Sequence, residues 1–113
     1  MKITLTLPPT TNNQYGTHGK IHYLTAESKA WIELSHWKLK AMRLVTLLDE
    51  VSVTAHFYLK RDRDVDNLKL VLDVMKQRVY EDDAQVVELH VYKHKDKLNP
   101  RVEIEVLPID NKH

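Results

Sequence analysis

The sequence predicts an α+β domain in which two helices cover one face of a mixed sheet of four to five strands. Three observations carry that reading. Four segments alternate apolar and polar residues, as half-buried strands do. Two others repeat apolar residues at spacings of three and four, as amphipathic helices do. The central order is strand, helix, strand, which suits a crossover unit inside a sheet.

Ile3, Leu5 and Leu7 alternate with Lys2, Thr4 and Thr6, and Pro8-Pro9 stops this first strand. A loop rich in Thr and Asn follows to about Ile21 and contains Gly16 and Gly19, the two glycines of the chain. Ile21–Leu24 suits a short strand. Thr25 is placed to cap a helix, and Glu27 sets negative charge in its first turn. Ala30, Trp31, Leu34, Trp37, Ala41, Leu44 and Leu48 then mark an amphipathic helix ending near Leu47. Trp31 and Trp37 are six apart, so they do not share one tight stripe, and one is expected in the core.

Val51, Val53, Ala55, Phe57 and Leu59 alternate with Ser52, Thr54, His56 and Tyr58 in a second strong strand. A charged loop, residues 60–66, leads to a helix carrying Leu68, Leu72, Met75 and Val79 on one side, with Asp66 or Asn67 as its cap. The turn Glu81-Asp82-Asp83 ends it. Val87, Leu89 and Val91 mark a further strand, and Val102, Ile104 and Val106 another. Lys95–Pro100 is expected to join these two as a hairpin. No internal repeat or linker is visible.

The chain has 113 residues, which is one domain by the usual size prior and enough to bury a core without staples. It has no cysteine, which excludes disulfides and thiolate metal sites and makes a cytoplasmic location the simplest expectation. No apolar run approaches the ~20 residues of a membrane span, and residues 1–8 lack the features of a signal peptide. Asp110-Asn111-Lys112-His113 reads as a short solvated tail.

Seventeen basic and sixteen acidic residues leave a net charge of +1, so total charge argues little for nucleic acid. The distribution says more. Asp62, Asp64, Asp66, Glu81, Asp82 and Asp83 crowd two short segments. Lys60, Arg61 and Arg63 adjoin the first of them, and Lys93, Lys95, Lys97 and Arg101 form a second basic group. Acid in one place with base around it fits a metal site within a phosphate-binding surface; scattered solvated charge is the plain alternative.

Asp64-Val65-Asp66 lies where a strand leaves the sheet. In extended chain, residues two apart point the same way, with Cα atoms roughly 7 Å apart, so both carboxylates can meet one ion. If the strands flanking residues 67–80 are neighbours, the crossover returns Asp82-Asp83 towards the start. Clustered carboxylates raise one another's pKa unless a cation sits among them. Mg²⁺ suits an all-oxygen set, retains waters, and takes a substrate phosphate as part of its shell. A helix N-terminus at 66–68 favours that phosphate, and Lys69, one turn in, is placed to offset charge in a transition state.

Other readings compete. Asp62-Arg63-Asp64-Val65-Asp66 resembles the start of a calcium loop, but position 6 is Asn67 and position 12 is Asp73, where that loop needs Gly and Glu. Asp66 and Asn67 can simply cap a helix while Asp82-Asp83 makes a turn. His18/His22 and His90/His94 have four-residue spacings that invite zinc. On a strand, however, His90 and His94 stand roughly 13 Å apart, and His18 and His22 lack further ligands.

Asp64-Val65-Asp66-Asn67-Leu68, a helix, then Tyr80-Glu81-Asp82-Asp83-Ala84-Gln85-Val86 resembles the RusA family of Holliday-junction resolvases. Leu7-Pro8-Pro9-Thr10, Asn12, Tyr15 and Tyr23-Leu24-Thr25-Ala26-Glu27 resemble the family's opening. The likeness runs in order over nearly the whole chain, read as a single RusA-like domain, residues 1–113. It implies a homodimeric, Mg²⁺-dependent endonuclease, with Mn²⁺ able to substitute, nicking four-way DNA symmetrically in recombination and repair. It implies no other small-molecule cofactor, no membrane, and a cytoplasmic setting in a bacterial host, often with phage or prophage origin. The family's metal-binding aspartates correspond to Asp64, Asp66 and Asp83, and Asp82 matches the family aspartate that precedes the last of them, a further candidate ligand. The family's lysine stands four residues after the second aspartate, where this chain has Leu70. Lys69, three residues on, keeps the family's four-residue separation from Asp73, so the catalytic role carries to Lys69 across a one-residue deletion. Lys60, Arg61, Arg63, Lys93, Lys95, Lys97 and Arg101 are the expected DNA contacts. The alternative is a non-catalytic binder of branched DNA with a vestigial metal site.

Overall fold

The computed structural model describes residues 1–10, 14–18, 21–62 and 64–109. They form a four-stranded mixed sheet, a separate two-stranded sheet and two helices: β1 (Lys2–Leu5), β2 (Tyr15–His18), β3 (Ile21–Leu24), α1 (Ala26–Ala41), β4 (Val51–Leu59), α2 (Leu68–Met75), β5 (Val86–Lys95) and β6 (Arg101–Pro108). The α+β class and the mixed sheet follow the sequence reading. The loop expected before Ile21 instead holds β2, paired antiparallel with β3.

The main sheet runs β1-β6-β4-β5. β4 takes the centre because its alternation is strictest: Val51, Val53, Ala55, Phe57 and Leu59 are all at most 2% exposed. Ile3, Leu5, Val102, Ile104 and Val106 join them on that face, and the helices add Trp31, Leu39, Leu70, Val71, Val74 and Met75. Among the described residues, eighteen buried side chains form this core, far more than a local cluster under a loop would hold.

The parallel neighbours β4 and β5 flank α2, with Val51 beside Val86 and Leu59 beside Lys95. This is the expected crossover. The expected hairpin between β5 and β6 is corrected: β6 pairs antiparallel with the other side of β4. The segment after Lys95 therefore passes over the end of β4, pinned by Asp96 N–H donating to Leu59 O at 2.8 Å. A strand as apolar as β4 gains most by lying between two neighbours, and sequence adjacency of β5 and β6 yields to that.

Helix α1 starts as expected, with Thr25 extended at the cap and its Oγ1 accepting from Ser28 N–H at 3.2 Å. It ends at Ala41 rather than near Leu47. Its buried stripe is Ser28, Trp31, Ser35 and Leu39, a different phase from the apolar stripe in the sequence. Leu34 and Trp37 are 58% and 62% exposed. Two small serines let the helix approach closely, so Trp31 enters the core and donates Nε1–H to Thr6 O at 2.9 Å. Helix α2 ends at Met75 rather than continuing to Val79. Lys76 is extended and Gln77 has φ of 67°, which turns the chain so that Val79 and Tyr80 bury fully in a loop.

Candidate functional site

The C-terminal end of β4 delivers the first acidic segment. Asp64 is exposed and Asp66 half-buried, in irregular chain ahead of α2. Asn67 follows in the left-handed conformation, φ 61° and ψ 36°. Asparagine tolerates that region better than most residues. Its side chain does not cap α2. Instead Nδ2–H donates to Pro9 O at 2.8 Å, tying the Pro8-Pro9 segment to the acidic loop.

Lys69 projects from the first turn of α2 and is exposed. It lines a cleft of about 500 Å³ with Gln14, Tyr15, Asn67, Leu68, Leu70 and Asp73. Lys69 and Asp73 are one helical turn apart, so they share that cleft by the i,i+4 geometry of the helix.

Asp73 then meets the second acidic segment. Asp83 is half-buried, its Oδ1 lacks any donor, and the side chain facing it is the Asp73 carboxyl. Two carboxyls set against each other are eased by a proton or a cation between them. Burial and the Asp73 carboxyl push the Asp83 pKa up, with Asp82 adding and Lys76 opposing. The neighbouring Tyr80 phenol is pushed far above its usual range by burial and by Asp83 and Asp73; its O–H donates to Leu72 O at 2.8 Å.

Asp82 is turned elsewhere. It caps the short 3₁₀ turn Asp83–Gln85, accepting from Ala84 N–H at 3.4 Å. Gln85 completes the box: its Oε1 accepts from the N–H groups of Asp82 and Glu81 at 3.0 and 2.7 Å. Its Nε2 donates to Leu47 O and Asp49 O at 2.9 and 2.8 Å. The turn reading of this segment is thus realised, with Asp82 and Gln85 making its side-chain bonds and the Asp83 carboxyl making none of them.

The structure brings Asp83 to Asp73, near the last turn of α2, while Asp64 and Asp66 stand before its first turn. Eight helical residues separate those ends by about 12 Å along the axis. Among the described residues, no three His, Asp or Glu side chains converge closely enough to hold a metal. The donor chemistry nonetheless fits Mg²⁺: the groups are all oxygen, and Asp83 has an unsatisfied oxygen facing a second carboxyl. Asp73 is the residue the sequence reading did not assign; its four-residue spacing from Lys69 was the available signal.

The parallel register gathers the basic groups. Lys60 and Arg61 leave the end of β4 beside Lys93 and Lys95 at the end of β5. Arg61, Asp62, Lys93 and Lys95 line a shallow cleft of about 290 Å³, in which Lys93 pairs with Asp62 at 3.1 Å. Lys97 is exposed in the following turn. Arg101 is bound within the protein, to Asp96 at 2.9 Å and Glu103 at 2.8 Å, and lies 3.9 Å over the Tyr58 ring. Those carboxylates hold its pKa up, and Arg101 in turn holds that of Asp96 down. Arg63 and the tail from residue 110 lie outside the described residues, as do the side chains of His18 and His22. His90 and His94 both lie on β5, and His94 Nε2 meets His56 Nδ1 at 2.8 Å. No helix among the described residues is long and apolar enough to cross a membrane.

No curated protein matches the chain. A family model described as endodeoxyribonuclease RusA matches residues 6–107, a span that takes in both acidic segments, Lys69 and the basic end of the sheet. The chain belongs to the RusA endodeoxyribonuclease family.

Proposed function

We propose that this protein is a homodimeric, Mg²⁺-dependent endonuclease that resolves four-way DNA junctions by paired symmetric nicks in recombination and repair. The observation that carries the reading is the unsatisfied Asp83 carboxyl beside Asp73, a residue that lines one cleft with Lys69, in a chain of the RusA family. Asp64, Asp66 and Asp83 are the ligands this reading assigns to the metal, although Asp64 and Asp66 stand before the first turn of α2 and Asp83 near its last; Asp82 is engaged in its turn, and Asp73 lies beside Asp83. When bound, Mg²⁺ supplies activation of a water and neutralises charge on the phosphate; Mn²⁺ offers the same chemistry to oxygen ligands.

The protein's own groups do the rest. Lys69 projects beside the N-terminus of α2, where an ammonium and the helix dipole together favour the phosphate and the charge that grows on it. Asn67 fixes the acidic loop to Pro9. Lys60, Arg61, Lys93, Lys95 and Lys97 bind backbone phosphates, and Arg63 belongs with them by sequence. A two-fold junction cut symmetrically needs two symmetric active sites, hence the dimer.

A second reading keeps binding and drops cleavage. It is favoured by the separation of Asp64 and Asp66 from Asp83 and by the shifted lysine spacing. One experiment decides. Purified protein is incubated with a synthetic four-way junction and a matched duplex, in Mg²⁺ and in EDTA, beside Asp66→Asn. Paired nicks in the junction alone, lost in EDTA and in the variant, establish the resolvase. Tight junction binding without nicks establishes the binder.

A further inference from the structure

We propose that the outer edge of β5 is the dimer seam: it pairs antiparallel with β5 of a second copy, about a two-fold axis at His90, joining two four-stranded sheets into one of eight. The inference rests on the homodimer reading and locates its interface.

The longest strand of the sheet, ten residues, stands at an edge. The opposite edge strand, β1, has four residues. An unpaired edge presents free N–H and C=O groups that template another strand. β5 contains no proline to block them. Its residues on the core side are also left open. Leu89 and Val91 are 42% and 37% exposed, although their β4 partners Val53 and Ala55 are 1% and 0% exposed.

The sequence of β5 complements itself in this register. With His90 opposite His90, residue numbers of facing pairs sum to 180, so faces are preserved as the pleat demands. Leu89 meets Val91 of the other copy, twice, forming an apolar quartet across the axis. Glu88 meets Tyr92, with the other copy's His90 on its diagonal; within one chain Glu88 already approaches His90 at 3.6 Å. Lys93 meets Val87, so no lysine faces a lysine. The two Lys95 residues, five from the axis on either side, lie roughly 33 Å apart along the strands. The basic ends of the two sheets thus face opposite ways from the axis, one to each half of a two-fold substrate.

The chain has no cysteine, so single-cysteine variants of the full chain report distance directly. Facing residues of an antiparallel pair have Cα atoms about 4.5–5.5 Å apart, within disulfide reach. Under mild oxidation, His90→Cys is expected to convert most of the protein to covalent dimer. Tyr92→Cys, on the same face but with its two copies about 13 Å apart in this register, stays uncrosslinked. Val91→Lys is expected to shift the mass by light scattering from dimer to monomer, with the far-ultraviolet spectrum unchanged. A monomeric parent, or a dimeric parent in which His90→Cys crosslinks no better than Tyr92→Cys, overturns the proposal. Junction nicking by the parent is read separately. Nicking without the crosslink removes this interface and keeps the nuclease, whereas the crosslink without nicking keeps the interface and removes the nuclease.

Discussion

Asp83 sits where its own charge is opposed. Burial and the Asp73 carboxyl raise its pKa above the ordinary 3.8. The native state therefore holds a proton at Asp83 to higher pH than the unfolded chain does. Its contribution to stability is complete below the unfolded value and is lost as pH rises through the raised native value. Asp83→Asn removes that dependence. In EDTA at pH 7 the variant is expected to melt above the parent, and the gap to close below about pH 4, where unfolded carboxyls also protonate. Mg²⁺ binding to the folded state should raise the parent's Tm and leave the variant's in place. Identical melting curves for the two proteins at every pH, with no Mg²⁺ effect, would remove Asp83 from the metal set. Lys69 tests the chemistry rather than the charge balance. Losing one preformed donor to a transition state costs about 10²–10³ in rate, so Lys69→Ala is expected to bind junction normally and cleave that much more slowly in single-turnover assays. Cleavage at the parent rate would take Lys69 out of the mechanism. At this scale the sequence displayed the acidic pairs and the lysine. It did not display the Asp73–Asp83 contact, because that contact depends on α2 stopping at Met75 and the chain doubling back through Gln77.

The elements carry the site through two polar side chains that do structural work. Gln85 reciprocates the Asp82 cap and also bonds Leu47 O and Asp49 O, so it fastens the acidic turn to the approach of β4. Gln85→Ala removes one side of a capping box and those two hydrogen bonds. Such losses are worth about 1–2 kcal/mol together, since exposed groups recover water. A lower urea midpoint with an unchanged slope is the expected result, and an unchanged midpoint would show that the clamp contributes nothing. Asn67 separates backbone from side chain. Asn67→Gly loses the Pro9 tether alone, whereas Asn67→Ala loses it and also holds a Cβ in the left-handed region, about 1–2 kcal/mol worse. Equal stability of the two variants would refute the strain argument. Strict alternation made β4 and β6 readable, and Thr25 made the start of α1 readable, because these are local signals. The burial phase of α1 was not readable. Its apolar residues lie on several sides, and the small, polar Ser28 and Ser35 are buried in their place, Ser28 donating its hydroxyl to Gln14 O at 2.9 Å. The place of β5 was not readable either, since its alternation matches a half-buried strand while its position leaves both faces open.

At the scale of the molecule, the sheet topology converts two basic segments, more than thirty residues apart in sequence, into one surface. That consequence of the parallel β4–β5 pairing gives a quantitative expectation for DNA. Each phosphate contact releases counterions and contributes a log–log salt slope near −0.9. Lys60, Arg61, Lys95 and Lys97 are all exposed on or beside this end of the sheet. Lys95→Ala should therefore weaken junction binding at every sequence tested and reduce the slope by about one contact. Arg101 has the same charge and lies in the same region, but its guanidinium is engaged by Asp96, Glu103 and the face of Tyr58. Arg101→Ala should leave the slope unchanged and lower the melting temperature, as it frees two carboxylates from their partner. Titrating fluorescent junction in EDTA across a range of salt concentrations measures the slopes without cleavage. If Arg101→Ala flattens the slope as much as Lys95→Ala does, the arginine turns from its internal partners to DNA, and the basic surface extends around the edge of the turn to β6. If neither changes it, phosphate contact lies away from the end of the sheet, and the acidic loop after β4 approaches DNA from another side.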